Sequence, residues 1–249
     1  PDGTLHVVDM YRETIETPDS MVEEIFEMVD FRLGREFGRI YRLAPKGFEP
    51  PPPPRLGEVT LPELIATLEN RNGWWRDTAG RLIVERGGTD ALPGLRALLR
   101  ESDWDVARLH ALYAIAGLGG LEESDLNLVL ADVSSGLREH GLKLYRKEFT
   151  NLRGRLFELA VDENVRVRFQ AALVLGDLGG GEAASALAKM SIRDAANKWI
   201  RFAVLSARPE NALAVFKNLE RKIHRSSLFE PLAFVIGARH EKSEVAALL

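Results

Sequence analysis

Five arginines recur at a nearly constant interval along the last three-quarters of this chain of 249 residues. The steps between them are 32, 30, 30 and 33 residues, and an apolar residue precedes each one. A period of this length is typical of solenoids, in which stacked units of about 30 residues bury one continuous core. The repeat therefore predicts the architecture of most of the chain, through Arg76, Arg108, Arg138, Arg168 and Arg201.

Polar residues accompany these arginines at a regular offset. Asn, Ser or Asp stands six residues before each of the first four, and in the fifth copy an Asp stands seven residues before. The planar guanidinium of Arg matches a carboxylate through two parallel hydrogen bonds. We therefore predict a buried ladder, in which each arginine pairs with the polar residue of its own unit or of a neighbouring one. The alternative is a cationic strip for phosphates or acidic partners; the polar positions are Asn70, Ser102, Asp132, Asp162 and Asp194.

From Leu61 onward the sequence predicts paired helices. Apolar residues recur at helical spacing, and glycine runs follow several second helices as stop signals. The predicted fold class is all-α, an α-α superhelix of about six helical pairs. The predicted helices are Leu61–Glu69 with Trp74–Arg86, Ala91–Arg100 with Val106–Leu118, Leu126–Val133 with Leu137–Phe149, Arg153–Val161 with Val165–Leu178, Ala183–Met190 with Asn197–Ser206, and Asn211–Arg221 with Leu228–Gly237, followed by Glu241–Leu249.

Residues 1–48 have a different texture. Pro1-Asp2-Gly3 is a turn signal, and Leu5–Met10 and Gly38–Leu43 are predicted strands because of their apolar and β-branched content. Between them Val22–Val29 is predicted as a helix with acidic residues in its first turn. Two strands alone are marginally stable, so we expect them to be the edge of a larger sheet.

Five consecutive prolines, Pro50 to Pro54, separate this region from the helices. Proline fixes φ and lacks an N–H donor, so such a run is a stiff and extended spacer. A proline-rich stretch is also a ligand for aromatic-lined grooves, but a position between two folded regions favours the spacer. We predict an N-terminal domain over residues 1–48, a linker over 49–57 and a helical domain over 58–249.

The overall composition argues against several classes of site. The net charge of −4 argues against a general binder of nucleic acid, so no such partner is expected. The sequence has no cysteine, which excludes disulfides, thiolate zinc sites and covalent attachment of a c-type haem within these residues. No apolar run approaches the ~20 residues of a membrane-spanning helix. Because these residues offer no attachment site for one, no cofactor is expected in this chain.

The helical pairs resemble HEAT repeats. The copy that fits best runs from Asp162 to Gly176 and reads D-x-x-x-x-V-R-x-x-A-x-x-x-L-G, with Arg168 and Ala171 at the matching places. The resemblance covers about residues 58–249 and implies an α-solenoid.

A narrower resemblance involves three segments, Pro1–Arg12, Gly38–Arg42 before the proline-rich joint, and Asn72–Ala79. Together they are similar to the large bacterial membrane-bound dehydrogenase family, also described as PVC-type haem-binding CxxCH proteins. In that family a β-propeller related to sugar dehydrogenases leads into HEAT repeats and then into a c-type cytochrome domain. The resemblance implies that residues 1–48 are the C-terminal remnant of a propeller. It also implies a periplasmic or cell-envelope parent protein with a c-type haem and a propeller-bound cofactor.

Under this resemblance the helical region is expected to be a non-catalytic scaffold that spaces the propeller from the cytochrome domain. Its partners would be another protein or neighbouring domains of the same chain. One alternative is that the chain belongs to an active sugar or alcohol dehydrogenase and contributes Arg12 to the propeller site. A second alternative is an alkylpurine DNA glycosylase, a class with members built from HEAT-like repeats; that function needs a basic concave groove with Trp and Asp.

Two histidines occupy the same slot, two residues after their arginines. Stacked units would align this slot on one face, which we predict to contact a partner. Two imidazoles could also hold a metal ion or a haem iron, but metal sites use three or four ligands and no third one is evident, so no metal site is predicted. The four residues of this predicted face are Thr78, His110, His140 and Gln170.

Charged and aromatic groups give further candidates. Residues 13–30 hold seven acidic residues and no basic one, and are a candidate partner for a positive cluster further along the chain. Trp74 and Trp75 stand at a helix start, where packing is favoured over stacking on a sugar or base. The positive cluster is either a solvated face or an anion-binding patch, and comprises Lys143, Arg146, Lys147, Arg153 and Arg155.

Overall fold

The computed structural model describes residues 2–248, apart from the side chain of Pro18. Pro1 of the predicted turn and Leu249 of the last predicted helix lie outside the described residues. The rest is mostly helical, with a two-stranded antiparallel sheet near the N-terminus. The predicted all-α fold class is confirmed.

Fourteen α-helices and two strands lie in the described part of the chain. The strands are β1 (Leu5–Asp9) and β2 (Arg39–Leu43). The helices are α1 (Glu23–Phe26), α2 (Leu61–Thr67), α3 (Gly73–Arg86), α4 (Leu92–Glu101), α5 (Asp105–Gly117), α6 (Glu123–Leu130), α7 (Ser135–Lys143), α8 (Arg153–Leu159), α9 (Val165–Leu178), α10 (Gly181–Arg193), α11 (Lys198–Leu205), α12 (Ala212–Glu220), α13 (Phe229–Ala238) and α14 (Lys242–Ala246).

The helices from α2 to α13 pack as six consecutive pairs, α2 with α3 and so on to α12 with α13. The second helices of the first five pairs also pack on one another in order, α3 on α5, α5 on α7, α7 on α9 and α9 on α11. One hydrophobic core runs through these interfaces from Leu56 to Ile236. The chain is therefore a solenoid, in which each unit completes its core against its neighbours.

Local signals start and stop the second helices at the same point of the repeat. Asn72, Asn164 and Asn197 cap α3, α9 and α11, and each accepts the backbone N–H two residues on, at 3.0, 2.9 and 2.9 Å. Gly119 and Gly179 follow α5 and α9 with φ of 71° and 72°, a left-handed conformation that costs glycine little. These signals keep the second helices side by side, which positions their exposed faces as one surface.

The N-terminal region contributes little to this core. Strands β1 and β2 pair with each other, with Val7 opposite Tyr41, and their side chains are almost all exposed. Helix α1 covers only the middle of the predicted helix Val22–Val29, because none of its residues is buried and a short helix without tertiary packing is unstable. Pro50 to Pro54 lie in a segment without helix or strand.

Two helices of the third unit differ from the prediction. Helix α6 begins three residues earlier, because Glu122 and Asp125 form a capping box there. Helix α7 ends at Lys143, whereas the apolar pattern continues to Phe149. In the intervening turn the Tyr145 hydroxyl donates to the Phe149 carbonyl at 3.2 Å, and both rings pack against the core. The apolar residues there pack against the core from a turn, not from further helix.

Helices α6 and α7 approach each other closely at Gly141. A Cβ atom there would lie 2.8 Å from Cγ1 of Val129 and 2.9 Å from Cδ2 of Leu130, inside normal contact distance. Gly141 stands three residues after its arginine, where the other units also have small or β-branched residues. The close approach explains why glycine, the smallest residue of this series, stands at this place in the third unit.

We expect Gly141→Ala to lower the free energy of unfolding by about 1 kcal/mol, because overpacking costs about 1–3 kcal/mol and better helix propensity returns about 1. Gly80→Ala is the matched control, since Gly80 lies inside α3 and its Cβ would meet only Leu68, at 4.0 Å. This control should raise the stability by about 0.5–1 kcal/mol. Urea titrations of both variants measure the two changes, and changes of the same sign would contradict the close approach.

Candidate functional site

The arginine row, defined as Arg76, Arg108, Arg138, Arg168 and Arg201, lies at the junctions between units. Nη1 of Arg138 donates to the backbone carbonyls of Asp132 and Val133 in its own unit, at 2.8 and 3.1 Å. Its Nε and Nη2 donate to the two carboxylate oxygens of Asp162 in the next unit, at 2.8 and 2.9 Å. One guanidinium thus fastens the loop before its own second helix to the unit that follows.

The neighbouring positions repeat this arrangement. Nη1 of Arg168 donates to the carbonyls of Asp162 and the residue after it, at 2.8 and 2.9 Å. Its Nε donates to Asp194 at 2.9 Å, and Arg108 pairs with the Asp132 carboxylate. In all three the carboxylate partner comes from the following unit, and for Arg138 and Arg168 the arginine's own unit supplies main-chain carbonyls.

Asn70 and Ser102 stand at the places of the aspartates but have no carboxylate to offer an arginine. The carbonyl of Asn70 accepts from Nη1 of Arg76 at 2.8 Å, and its side chain accepts the backbone N–H of Asn72 at 2.9 Å. The hydroxyl of Ser102 donates to Glu69 at 2.6 Å. Because Ser102 stands where the next units have Asp, Arg76 meets no carboxylate in the second unit.

The two ends of the row consequently have other partners. Nε of Arg76 donates to Nε2 of His110 at 3.1 Å, and its guanidinium carbon lies 4.8 Å from the centre of the Trp104 ring. Arg201 donates to the hydroxyl of Ser227 at 3.1 Å. Within residues 2–248 neither arginine forms an ion pair with a carboxylate.

Burial makes the middle of the row its most strongly held part. The side chains of Arg168 and Asp194 are only 8% and 10% exposed. Burial alone would raise the pKa of Asp162, but hydrogen bonds from Arg138 and from a backbone N–H outweigh it, so the pKa of this carboxyl is lowered. These guanidinium groups are occupied by contacts inside the protein, which leaves little of their charge for a ligand.

The slot two residues after the arginines lies between neighbouring second helices. His110 accepts from Arg76 of α3, and Nδ1 of His140 lies 2.8 Å from the hydroxyl of Tyr113 on α5. Each imidazole therefore bridges two adjacent second helices. All four residues of the predicted partner-binding face are half-buried: Thr78, His110, His140 and Gln170.

The environment keeps both imidazoles neutral. Burial lowers the pKa of His110, and the nearby charge of Arg76 lowers it further. Burial likewise lowers the pKa of His140, with Lys143 as the next cause. Neutrality is required at His110, because Nε2 accepts a hydrogen bond only when it carries no proton.

We therefore expect the free energy of unfolding to fall as the pH drops below about 6.5. An imidazole with a folded pKa below its unfolded value of about 6.5 stabilises the fold above that value, and this contribution is lost as the pH falls through the folded pKa. Urea titrations at several pH values should show a shallower dependence for H110Q/H140Q. A dependence as steep in H110Q/H140Q as in the wild type would refute the assignment.

The predicted positive cluster divides into paired and exposed cations. Lys143 pairs with Glu139 at 2.7 Å, and Arg155 pairs with Glu158. Free positive charge is therefore concentrated around the connection between α7 and α8. In the described part of the chain residues 13–30 form no ion pair with this cluster, and three of its members are exposed and form none: Arg146, Lys147 and Arg153.

Arg12 lies in the N-terminal region, outside the second-helix face, and Trp74 and Trp75 lie at the start of α3, the first second helix. Nη2 of Arg12 donates to the carbonyl of Phe31, and its Nε is buried without a hydrogen-bond partner among the described residues. Trp75 packs against the core, whereas Trp74 is 42% exposed, and the two rings meet edge to face at 6.4 Å.

A group of apolar side chains, three exposed and one half-buried, lies on the second helices of the fourth and fifth units. Trp199 and Phe202 are 58% and 57% exposed, and their rings meet edge to face at 6.1 Å. Val165 and Phe169 of α9 lie beside Trp199 along a cleft of about 380 Å³. We call these four residues the α9–α11 ledge.

The ledge was not predicted, although the sequence contains a signal for it. Asn197 and Trp199 repeat the spacing of Asn72 and Trp74, with the asparagine as helix cap and the tryptophan two residues on. At that position a side chain points away from the buried stripe of α11, which includes Ile200. A cap followed by an aromatic residue thus marks an outward-facing ring at a helix start.

The described residues contain no candidate membrane-spanning helix and no candidate metal-binding cluster. No helix in residues 2–248 has both the length and the apolar character needed to cross a membrane. Over the same residues there is no cluster of three or more His, Asp or Glu side chains that could hold a metal ion.

Comparisons with known proteins match only part of the chain at the sequence level. Residues 1–47 match a family described as a domain of unknown function (DUF7133). No curated protein matches the chain. Among solved structures, computationally designed armadillo repeat proteins for modular peptide recognition are 16% identical, with 76% of this chain and 97% of that chain covered and a TM-score of 0.40.

Proposed function

We propose that residues 58–249 form a protein-interaction scaffold, whose second-helix face receives a partner protein or a neighbouring domain of the same chain. The α9–α11 ledge is the observation that carries this proposal. Single exposed apolar residues are ordinary on a protein surface, but an adjacent group on one face marks an interaction site. Trp199 and Phe202 are more than half exposed and contact each other on one face of α11. Aromatic side chains of this kind contribute strongly when an interface covers them.

We further propose that this scaffold belongs to a larger protein of the membrane-bound dehydrogenase type, in the periplasm or cell envelope. There it would space a β-propeller from a c-type cytochrome domain, with catalysis and cofactors in those other domains. The support is the sequence similarity of Pro1–Arg12, Gly38–Arg42 and Asn72–Ala79 to that family. The parent reading frame tests this context: propeller blades upstream and Cys-x-x-Cys-His downstream are expected, and the absence of both would refute it.

Photo-crosslinking in the parent protein tests the scaffold role. A photoreactive phenylalanine analogue at position 199 should crosslink to another polypeptide or to another domain of the same chain. The same analogue at Glu220, an exposed residue at the end of α12, is the control. Crosslinks at position 199 in clear excess over position 220 support the proposal, and equal or absent crosslinks overturn it.

A further inference from the structure

The ledge borders a cleft that combines an apolar floor with a charged edge. Val165, Phe169 and Trp199 form its apolar part, and Glu139 and Arg166 lie at its edge. A volume of about 380 Å³ is of the size that holds a large side chain of a bound peptide. The cleft is open along the second helices, which suits an extended chain better than an enclosed small molecule.

Positive charge exceeds negative charge around this cleft. Glu139 has a side chain only 11% exposed, and it is shared between two cations, Lys143 at 2.7 Å and Arg166 at 2.9 Å. Burial opposes the ionisation of Glu139, but hydrogen bonds from both cations outweigh it and lower the pKa of this carboxyl. One carboxylate therefore neutralises only one of two positive charges, and the side chain of Arg166 is 73% exposed.

A further cation stands next to the tryptophan of this cleft. Nζ of Lys198 lies 5.0 Å from the centre of the Trp199 ring, and Lys198 is exposed. The nearby carboxylates Asp162 and Asp194 are already paired with arginines of the row. Arg166 lines the same cleft as Trp199 and Lys198 lies near its ring, and no side chain in the described structure fully balances their charge.

We infer that the ledge binds an acidic peptide segment with a bulky apolar anchor, a partner chemistry that rests on the proposed scaffold role. The anchor would lie against Phe169 and Trp199, and carboxylates before and after it would pair with Arg166 and Lys198. Charge complementarity favours a partner with negative charge, and the apolar floor favours a bulky apolar side chain as its anchor. Residues 13–30 of this chain show the same chemistry, with seven carboxylates and exposed Ile15 and Met28.

The first unit has the same cap and tryptophan but a different charge. Trp74 occupies in α3 the place of Trp199 in α11, and three residues later Asp77 stands where α11 has Phe202. The side chain of Asp77 is 76% exposed. The carboxylate of Asp77 thus stands where α11 offers an aromatic ring to the anchor, which makes Trp74 a matched control for Trp199.

Selection from a random peptide library displayed on phage, with the full chain of 249 residues as bait, tests the partner chemistry. The enriched peptides, called winners below, are expected to be rich in Asp and Glu and to contain a Trp, Phe or Leu. A labelled winner should then bind in fluorescence anisotropy with an affinity that falls as salt rises. We expect W199A to weaken binding at least tenfold and R166Q/K198Q to weaken it about tenfold and flatten the salt dependence, whereas W74A should leave it unchanged.

Three outcomes would overturn the inference. They are enrichment of basic or neutral peptides, no enrichment at all, and tighter binding of a DNA duplex that depends on the same three residues. Circular dichroism of each variant separates lost binding from lost folding, because Trp199, Arg166 and Lys198 are exposed and their replacement should leave the melting curve close to wild type. If crosslinking at position 199 succeeds while the library gives no acidic winner, the scaffold role stands and only the partner chemistry fails.

Discussion

Replacing Arg168 by methionine is expected to lower the free energy of unfolding by about 3–5 kcal/mol. The guanidinium pairs with Asp194 of the next unit and donates to the carbonyl of Asp162, and both charged side chains are at most 10% exposed. Methionine keeps the apolar stem but leaves the carboxylate buried without a counter-charge. Chemical denaturation followed by circular dichroism measures the loss.

Arg155 provides the control for this experiment. Its partner Glu158 is 63% exposed, so Arg155→Met should change the stability by less than about 1 kcal/mol. The double variant R168M/D194N should lose less than the sum of its single variants, because no buried charge then remains unpaired. A loss below about 1 kcal/mol in Arg168→Met, equal to that of the control, would show that the row does not brace the units.

Replacing Asn211 by leucine is expected to cost about 2–3 kcal/mol, the second largest effect that we predict. Asn211 is 6% exposed, its Nδ2 donates to the carbonyl of Gly176 at 3.1 Å, and its Oδ1 accepts from the backbone N–H of Gly180 at 3.3 Å. Leucine has a similar size but neither polar group, so the N–H of Gly180 loses its partner. The loss should appear in urea titrations and as faster amide exchange in α12 and α13.

Asn218, which lies in the helix α12 that begins directly after Asn211, is the matched control. Its Nδ2 donates to the carbonyl of Ala214 one turn earlier, at 2.8 Å, so it joins no two units. Asn218→Leu should therefore cost less than about 1 kcal/mol, within the range of a single partly exposed hydrogen bond. Equal losses in the two variants would mean that contact between units is not the reason for the effect.

The repeat period predicted the helices well because each unit uses the same physical signals. Helix α9 begins and ends where the apolar stripe, the Asn164 cap and the glycine run place it. The end of α7 was mispredicted, since apolar residues that pack from a turn have the same spacing as residues that pack from a helix. Periodicity detects packing against the core, and Tyr145 and Phe149 are half-buried against it without being helical.

The choice of partner within the arginine row could not be read from the sequence. With a period of 30 residues, the Asp six before Arg138 and the Asp twenty-four after it follow from the same pattern. Only the fold shows that the side-chain partner is Asp162 of the next unit. The ledge is hidden for a related reason: the slot of Phe202 holds Asp77 in the first unit and Glu139 in the third. A search for recurring residues finds what every unit shares, and a binding site for one partner differs between units.

The uneven distribution of partners along the arginine row has a mechanical consequence. The three central arginines are tied to carboxylates of the next unit, whereas Arg76 and Arg201 are held by a neutral imidazole and a hydroxyl. Under tension applied at its ends, such an array should yield first at its outer joints and keep a stiff central rod. In optical tweezers the outer joints should therefore extend at a lower force than the central ones. The solenoid would then absorb relative movement of whatever it connects while the central units keep their spacing.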